Sequence, residues 1–155
     1  MITQTPTLEL ISQLTLEGEN YKSFDFTQVE AISVYTRDKI VGFSSIWHRP
    51  EYYEKNEVRI LNRYWEDPNL RRISKIIGGP HLIEMVQQQL NWLKNTSYTK
   101  AFISREKSPR YFKKLIQAIS EGTNTVWHIE ENKVPVCDPK NEACWQYKAW
   151  TILNT

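Results

Sequence analysis

Residues 57–95 read EVRILNRYWEDPNLRRISKIIGGPHLIEMVQQQLNWLKN, and this stretch decides the fold. Glu57–Trp65 is rich in strand-forming residues, and its side chains are predicted to alternate between two faces of a sheet. From Leu82 onwards apolar residues recur at helical spacing behind Gly79-Pro80, a pair that suits an N-cap and a first helical position. Strand, basic loop and helix in this order place backbone N–H groups at a helix N-terminus, where an anion such as phosphate is stabilised.

The basic loop carries a second helix signal. Asp67-Pro68 is also an N-cap and first-position pair, apolar residues follow it at helical spacing, and Gly78 can end a helix. The loop can therefore hold a short helix of its own.

The rest of the chain predicts further strands and helices on both sides of this stretch. We expect a hairpin at 31–37 and 40–49, a strand at 98–104, a helix from Ser108-Pro109 to about Ser120 ended by Gly122, and a closing hairpin at 125–130 and 145–153. Residues 1–30 allow a short helix or an edge strand equally. The predicted class is α/β (α+β), with the order β-β-β-α-β-α-β-β after that ambiguous segment.

Size and composition limit the possible classes of protein. The 155 residues are enough for one core, so we expect residues 1–155 to form a single domain. A net charge of +2 does not by itself indicate nucleic-acid binding, which needs a concentrated basic face. No apolar run reaches the roughly 20 residues of a membrane-spanning helix, and the first residues lack a signal-peptide pattern. We therefore expect a cytoplasmic protein with no membrane partner.

Cys137 and Cys144 flank a turn-like stretch and could face each other across a hairpin. Free thiols are the expectation, because nothing in the sequence indicates an oxidising compartment. Two cysteines at this spacing with three histidines do not supply a convincing zinc site, so no metal is predicted.

Two stretches match patterns of one family. Glu66–Arg71 keeps the Pro and Arg of V-x-P-x-x-R, and Gly78-Gly79 would finish a loop of the form Q/R-x-x-G-x-G/A. Tyr111 keeps the Tyr of N-x-x-A-x-x-x-Y, with Ser104 at the Asn position. From about residue 31 to 153 the chain thus resembles the GCN5-related N-acetyltransferases (GNAT). It departs from them in a longer loop, with Ser74 at the Gln/Arg position and Ile77 at the first Gly.

The resemblance implies a mixed, mostly antiparallel sheet flanked by helices, and transfer of an acetyl group from acetyl-CoA to an amine. The strand end would bind the pantetheine arm and the basic loop the pyrophosphate. The implied cofactor-binding residues are Tyr64, Trp65, Glu66, Arg71, Arg72, Lys75, Gly78 and Gly79. Tyr111 would protonate the departing thiolate if it lies within hydrogen-bond reach; the ordinary alternative is an aromatic residue on the buried face of its helix.

Candidates for the general base lie on or beside the central strands, where an amine would arrive. They are Glu57, Glu54 and His48, and none stands out; each is also an ordinary solvated polar residue. His81 is expected to be a first-turn helix residue.

Three functions remain open at this point. The favoured one is an acetyl-CoA-dependent N-acetyltransferase acting on a small-molecule or peptide amine, with a homodimer as one option for its assembly. Ser74 and Ile77 favour the second, a GNAT-like interaction or assembly protein that has lost its cofactor loop. The third, nucleic-acid binding through basic clusters at 71–75 and 100–114, is weaker, because solvated helix faces explain such residues as well.

Overall fold

The computed structural model describes residues 1–17, 28–73 and 76–153. The chain forms eight strands and four helices in these ranges: β1 (Ile2–Gln4), α1 (Leu8–Glu17), β2 (Val29–Thr36), β3 (Ile40–Trp47), β4 (Glu57–Glu66), α2 (Pro68–Ile73), α3 (Leu82–Leu93), β5 (Lys100–Arg105), α4 (Pro109–Thr123), β6 (His128–Ile129), β7 (Val134–Pro135) and β8 (Trp145–Ile152). A 3-10 turn, Glu142–Cys144, precedes β8.

The strands form one sheet in the order β1-β2-β3-β4-β5-β8-β6, with β7 paired to β8. All described pairings are antiparallel except that of β4 with β5. The largest apolar cluster lies between the sheet and the pair α3 and α4, and contains Ile60, Val86 and Ile116. A second cluster joins Leu14 of α1 to Ile32 and Phe43. The predicted class, a mixed and mostly antiparallel sheet flanked by helices, is confirmed.

Most predicted elements lie where the sequence places them, including the short helix α2 in the basic loop. The ambiguous N-terminal segment contains both a short strand and a helix. The predicted start of α3 at Gly79-Pro80 is wrong: the helix begins at Leu82, with His81 at its N-cap position.

The predicted end of α4 is also wrong. Gly122 lies inside the helix, and Asn124 ends it in a left-handed conformation (φ 53°). Gly122 is needed for packing, because a Cβ atom there would lie 2.8 Å from the side chain of Ile83 on α3. The two helices therefore approach each other closely at this position.

Strand β4 departs from the predicted alternation. Leu61 and Arg63 both have positive φ (52° and 54°), so Leu61 joins Val58 and Ile60 in the main core instead of facing away from them. Side chains satisfy the irregular backbone: Gln89 Oε1 accepts the Leu61 N–H at 2.7 Å, and the Ser44 hydroxyl donates to the Asn62 carbonyl at 3.0 Å. The shape of β4 is thus fixed by α3 and β3.

Replacing Gln89 with Leu is expected to lower the free energy of unfolding by about 1–3 kcal/mol, because the buried Leu61 N–H loses its acceptor. Gln89 also donates to the Ser33 hydroxyl at 3.2 Å, a bond that leucine cannot make. Urea unfolding of the variant measures the loss. Gln87→Leu on the solvent side of the same helix is the control, and an equal loss in both variants would contradict the role given to Gln89.

Cys137 and Cys144 form a disulfide, so the expectation of free thiols is wrong. Strand β7 pairs with the start of β8, and the Val136 N–H donates to the Cys144 carbonyl at 2.7 Å. This pairing holds the two Cα atoms 5.2 Å apart, within the range that a disulfide spans.

Among the described helices, none is long and apolar enough to cross a membrane.

Candidate active site between strands β4 and β5

A cleft opens where β4 and β5 separate. Their parallel pairing extends only from Glu57 opposite Lys100 to Arg59 opposite Phe102. Beyond this point β5 stays paired with β8, and β4 continues along β3 to Glu66. The strands therefore diverge around a cavity of about 500 Å³.

Both strands and two loops line this cleft. Residues 62–64 of β4 face residues 104–106, at and just after the end of β5. The remaining lining residues, from the β3–β4 and β7–β8 regions, are Trp47, Arg49, Tyr53, Arg59, Val136, Cys137, Ala143, Cys144 and Gln146. The disulfide-linked segment thus forms one wall.

Two half-buried arginines hold the diverging strands together. Arg105 donates to the Leu61 carbonyl of β4 at 3.1 Å and to the Ser104 carbonyl at 2.7 Å. Arg59 donates to Gln146 Oε1 at 3.3 Å. Burial, reinforced by the charge of Arg59, lowers the pKa of Arg105 to about 10, so its guanidinium remains charged at neutral pH.

The end of β4 contacts the start of α3 through Glu66. This buried carboxylate accepts the His81 backbone N–H at 3.1 Å, contacts His81 Nδ1, and accepts the Tyr64 hydroxyl at 2.8 Å. The His81 ring stacks on Tyr35, with 3.9 Å between centroids. Gly79 is required beside this group, because its φ is +104° and a Cβ atom would overlap Glu66 Oε2.

A carboxylate of the protein itself therefore lies at the N-terminus of α3, where the sequence predicts phosphate binding. The sequence analysis names Glu66 only as a strand-end residue that binds the pantetheine arm, and it treats His81 as an ordinary first-turn residue. The Gly78-Gly79 pair indicated a close approach at this point but not which group approaches.

The other predicted cofactor-binding residues have different surroundings. Burial, followed by the charge of Glu66 and the hydrogen bond to it, raises the pKa of Tyr64 above its ordinary value. Trp65 stacks on Phe43 within the second apolar cluster. Arg71 lies close to Gly79, and Arg72 is exposed and donates to Asn69. Gly78 has a φ of +79°, and Lys75 lies outside the described residues.

Tyr111 lies in the first turn of α4 and is 39% exposed. It is thus not part of the helix's buried face, which Phe112, Leu115 and Ile116 provide, and the interpretation as a buried aromatic is wrong. Its phenol is near enough to Tyr64 and Arg105 to affect the pKa of each. Tyr111 does not line the cleft itself, but it acts electrostatically on Tyr64 and Arg105, which do.

The predicted bases lie elsewhere. Glu57 is buried and accepts from Lys148 at 2.9 Å, with Lys100 at 3.9 Å. Glu54 and Glu57 line a neighbouring cavity of about 300 Å³. His48 Nδ1 is 2.7 Å from the Glu57 carbonyl oxygen. The structure brings these three residues together, but not into the cleft between β4 and β5.

The sheet, the cleft between its parallel central strands and the helix that starts beside it can be compared with known proteins. No family model and no curated protein sequence matches the chain. Solved structures do match. An IAA acetyltransferase from Bacillus cereus has a TM-score of 0.62 at 14% identity, covering 98% of this chain and 99% of that chain.

Two further structures match over similar lengths. A spermidine N-acetyltransferase from Vibrio cholerae, in complex with CoA and spermine, has a TM-score of 0.57 at 8% identity, over 98% of this chain and 95% of that chain. A GNAT-family acetyltransferase from Bacteroides thetaiotaomicron has a TM-score of 0.55 at 10% identity, over 97% and 86%. The chain therefore has the fold of the GCN5-related N-acetyltransferases, as the resemblance predicted.

Proposed function

We propose that this protein transfers an acetyl group from acetyl-CoA to an amine in the cleft between β4 and β5. The observation that carries the proposal is the divergence of these strands after a short parallel ladder, which opens a cavity of about 500 Å³ between their edges. A cavity of this size takes a small acceptor together with an acyl group. Two structures of the same fold were determined with CoA, one from Vibrio cholerae and one from Bacillus subtilis.

In this proposal the end of β4 and the basic loop after it hold acetyl-CoA. Backbone groups of Tyr64, Trp65 and Glu66 follow the irregular part of β4 and would hold the pantetheine arm. Positive charge for the phosphates would come from Arg71, Arg72 and Lys75, beside the Gly78-Gly79 turn. Because Glu66 already accepts the His81 N–H, the pyrophosphate would have to bind other donors than this one.

Acetyl-CoA supplies an activated thioester, so the chain's own groups need only position the amine, stabilise charge and move protons. A backbone N–H of β4 beside the cleft would stabilise the charge that develops on the carbonyl oxygen. Tyr111 would donate its phenolic proton to the leaving sulfur. The arginines of the cleft favour a neutral amine, because nearby positive charge lowers the pKa of an ammonium group. A role as base for Glu57 would require it to leave Lys148 and Lys100.

Acetyl-CoA is expected to raise the stability of the native protein. At about 100 times its dissociation constant a ligand that binds only the folded state adds about 2.7 kcal/mol. Thermal unfolding with and without acetyl-CoA measures this effect, and desulfo-CoA tests whether the nucleotide end suffices. An unchanged transition at millimolar acetyl-CoA would refute the proposed function.

The contact between Glu66 and the start of α3 favours a second candidate function, a GNAT-like interaction or assembly protein without cofactor. In such a protein the carboxylate would replace the phosphate permanently. The same unfolding experiment separates the two candidates, since only the acetyltransferase is stabilised by acetyl-CoA.

A further inference from the structure

The cleft between β4 and β5 has a strong excess of positive charge. Of its described lining residues, four are arginines, Arg49, Arg59, Arg63 and Arg105, and one is a carboxylate, Glu106. The molecule as a whole has a net charge of only +2. The lining of this cleft is therefore more positively charged than the chain as a whole.

Neutral groups hold three of these guanidinium groups in place. Arg59 and Arg105 donate to carbonyl oxygens and to the Gln146 amide. Arg49 lies over the rings of Trp47 and Tyr52, at 5.1 and 4.8 Å from their centroids. Within the described part of the chain, none of these three forms an ion pair with a carboxylate. Their charge is thus oriented but not neutralised.

Two buried donors next to the cavity also lack an acceptor. Neither Arg49 Nε nor Arg59 Nε makes a hydrogen bond to any described residue. Burial lowers the pKa of Arg59, and Arg63 and Arg49 lower it further by repulsion, although the nearby Tyr53 phenol opposes this effect. A buried donor without a partner is destabilising, and an anion bound in the cavity would relieve the repulsion between the guanidinium groups.

We propose that the acceptor amine carries an anionic group, a carboxylate or a phosphate, which binds the arginines of this cleft. The inference rests on the proposed function and names its substrate class. Planar guanidinium groups suit both anions, because each can donate two parallel hydrogen bonds to oxygen. The same cluster disfavours polyamines, whose several positive charges would meet four guanidinium groups.

The reaction on such an acceptor balances without a further reagent. The amine nitrogen forms the new N–C bond to the acetyl carbon, and the thioester C–S bond breaks. The amine loses one proton, and the departing thiolate takes up one proton to give CoA. The carboxylate or phosphate is unchanged and serves only to position the amine.

Direct binding tests the proposal without requiring turnover. Isothermal titration of the protein with L-glutamate and with glucosamine 6-phosphate is compared with counterparts that keep the amine but lack the anionic group, L-glutamine methyl amide and glucosamine, and with spermidine. We expect at least one anionic amine to bind at least tenfold more tightly than its counterpart and than spermidine. Preference for the carboxylate or for the phosphate identifies the anion.

Variants then locate the binding site. Arg63→Gln, at an exposed position of the cleft, should weaken binding of the anionic amine about 10- to 100-fold, as expected for the loss of a charge-assisted hydrogen bond. Arg37→Gln, which removes an exposed arginine in the β2–β3 turn, should leave the affinity unchanged. Circular dichroism checks that both variants are folded.

Three results would overturn the proposal: spermidine binding as tightly as the anionic amines, no binding of either anionic amine, or equal effects of the two variants. The failure of the proposed function is seen separately. In that case acetyl-CoA produces no shift in thermal unfolding, whatever the acceptors do.

Discussion

Replacing Glu66 with Ala is expected to lower the free energy of unfolding by about 3–5 kcal/mol, the range for removing one partner of a buried charged contact. The carboxylate is 2% exposed and has two oxygens engaged, one by His81 and one by Tyr64. Its loss leaves the His81 N–H and the Tyr64 hydroxyl without an acceptor, and opens a cavity beside Gly79. Guanidinium chloride unfolding measures the change.

Two further variants make this result specific. Glu66→Gln keeps one oxygen acceptor and should lose clearly less stability than the alanine variant. Glu84→Ala removes an exposed carboxylate from the first turn of α3 and should change stability by less than about 0.5 kcal/mol. If Glu66→Ala unfolds at the same denaturant concentration as the unmodified protein, water replaces the carboxylate and Glu66 does not hold α3 to β4.

Replacing Tyr111 with Phe is expected to lower kcat by about 100-fold or more, within the range given for a positioned general acid. The ring is 39% exposed and acts electrostatically on Tyr64 and Arg105, two residues that line the cleft. Because phenylalanine keeps the ring and loses only the proton, acetyl-CoA affinity should stay nearly the same. Steady-state kinetics with an acceptor found by titration gives kcat. A separate measurement of the acetyl-CoA dissociation constant gives the affinity.

Tyr98→Phe is the matched control for this variant. Tyr98 donates its hydroxyl to Glu30 at 2.7 Å and, unlike Tyr111, is not among the groups that act electrostatically on Arg105, so its replacement should leave kcat unchanged. A Tyr111→Phe protein with unchanged kcat would show that another group protonates the sulfur and that Tyr111 only covers the site.

Local sequence patterns predicted much of this fold, because the spacing of apolar residues and the capping residues of a segment point to the same element. The alternation of 31–37 and 40–49, the Asp67-Pro68 start of α2 and the apolar stripe of α3 all correspond to observed elements. Gly122 shows where such reasoning fails. A glycine near the end of a helical pattern ordinarily ends the helix, but here the close approach of Ile83 on α3 requires it. That contact joins residues distant in sequence, so no local pattern reveals it.

The candidate site was less predictable than the fold. The family pattern indicated Tyr111 and the turn at Gly78-Gly79. Gly79 lies against Glu66 at the end of β4, whereas the functional role of Tyr111 stays a prediction. The four arginines of the cleft come from β4, β5 and the loop after β3, and their sequence spacing shows no cluster. Glu66 and His81 are separated by 15 positions and meet only because α2 folds back between them.

The cross-link between Cys137 and Cys144 makes one wall of the cleft responsive to redox potential. Reduction opens the small ring between the two cysteines, and the segment with Val136 and Ala143 regains conformational freedom. A ligand must then order this segment at an entropic cost before the wall can contact it. Ligand binding at the cleft is therefore expected to be weaker when a thiol reductant is present in the buffer.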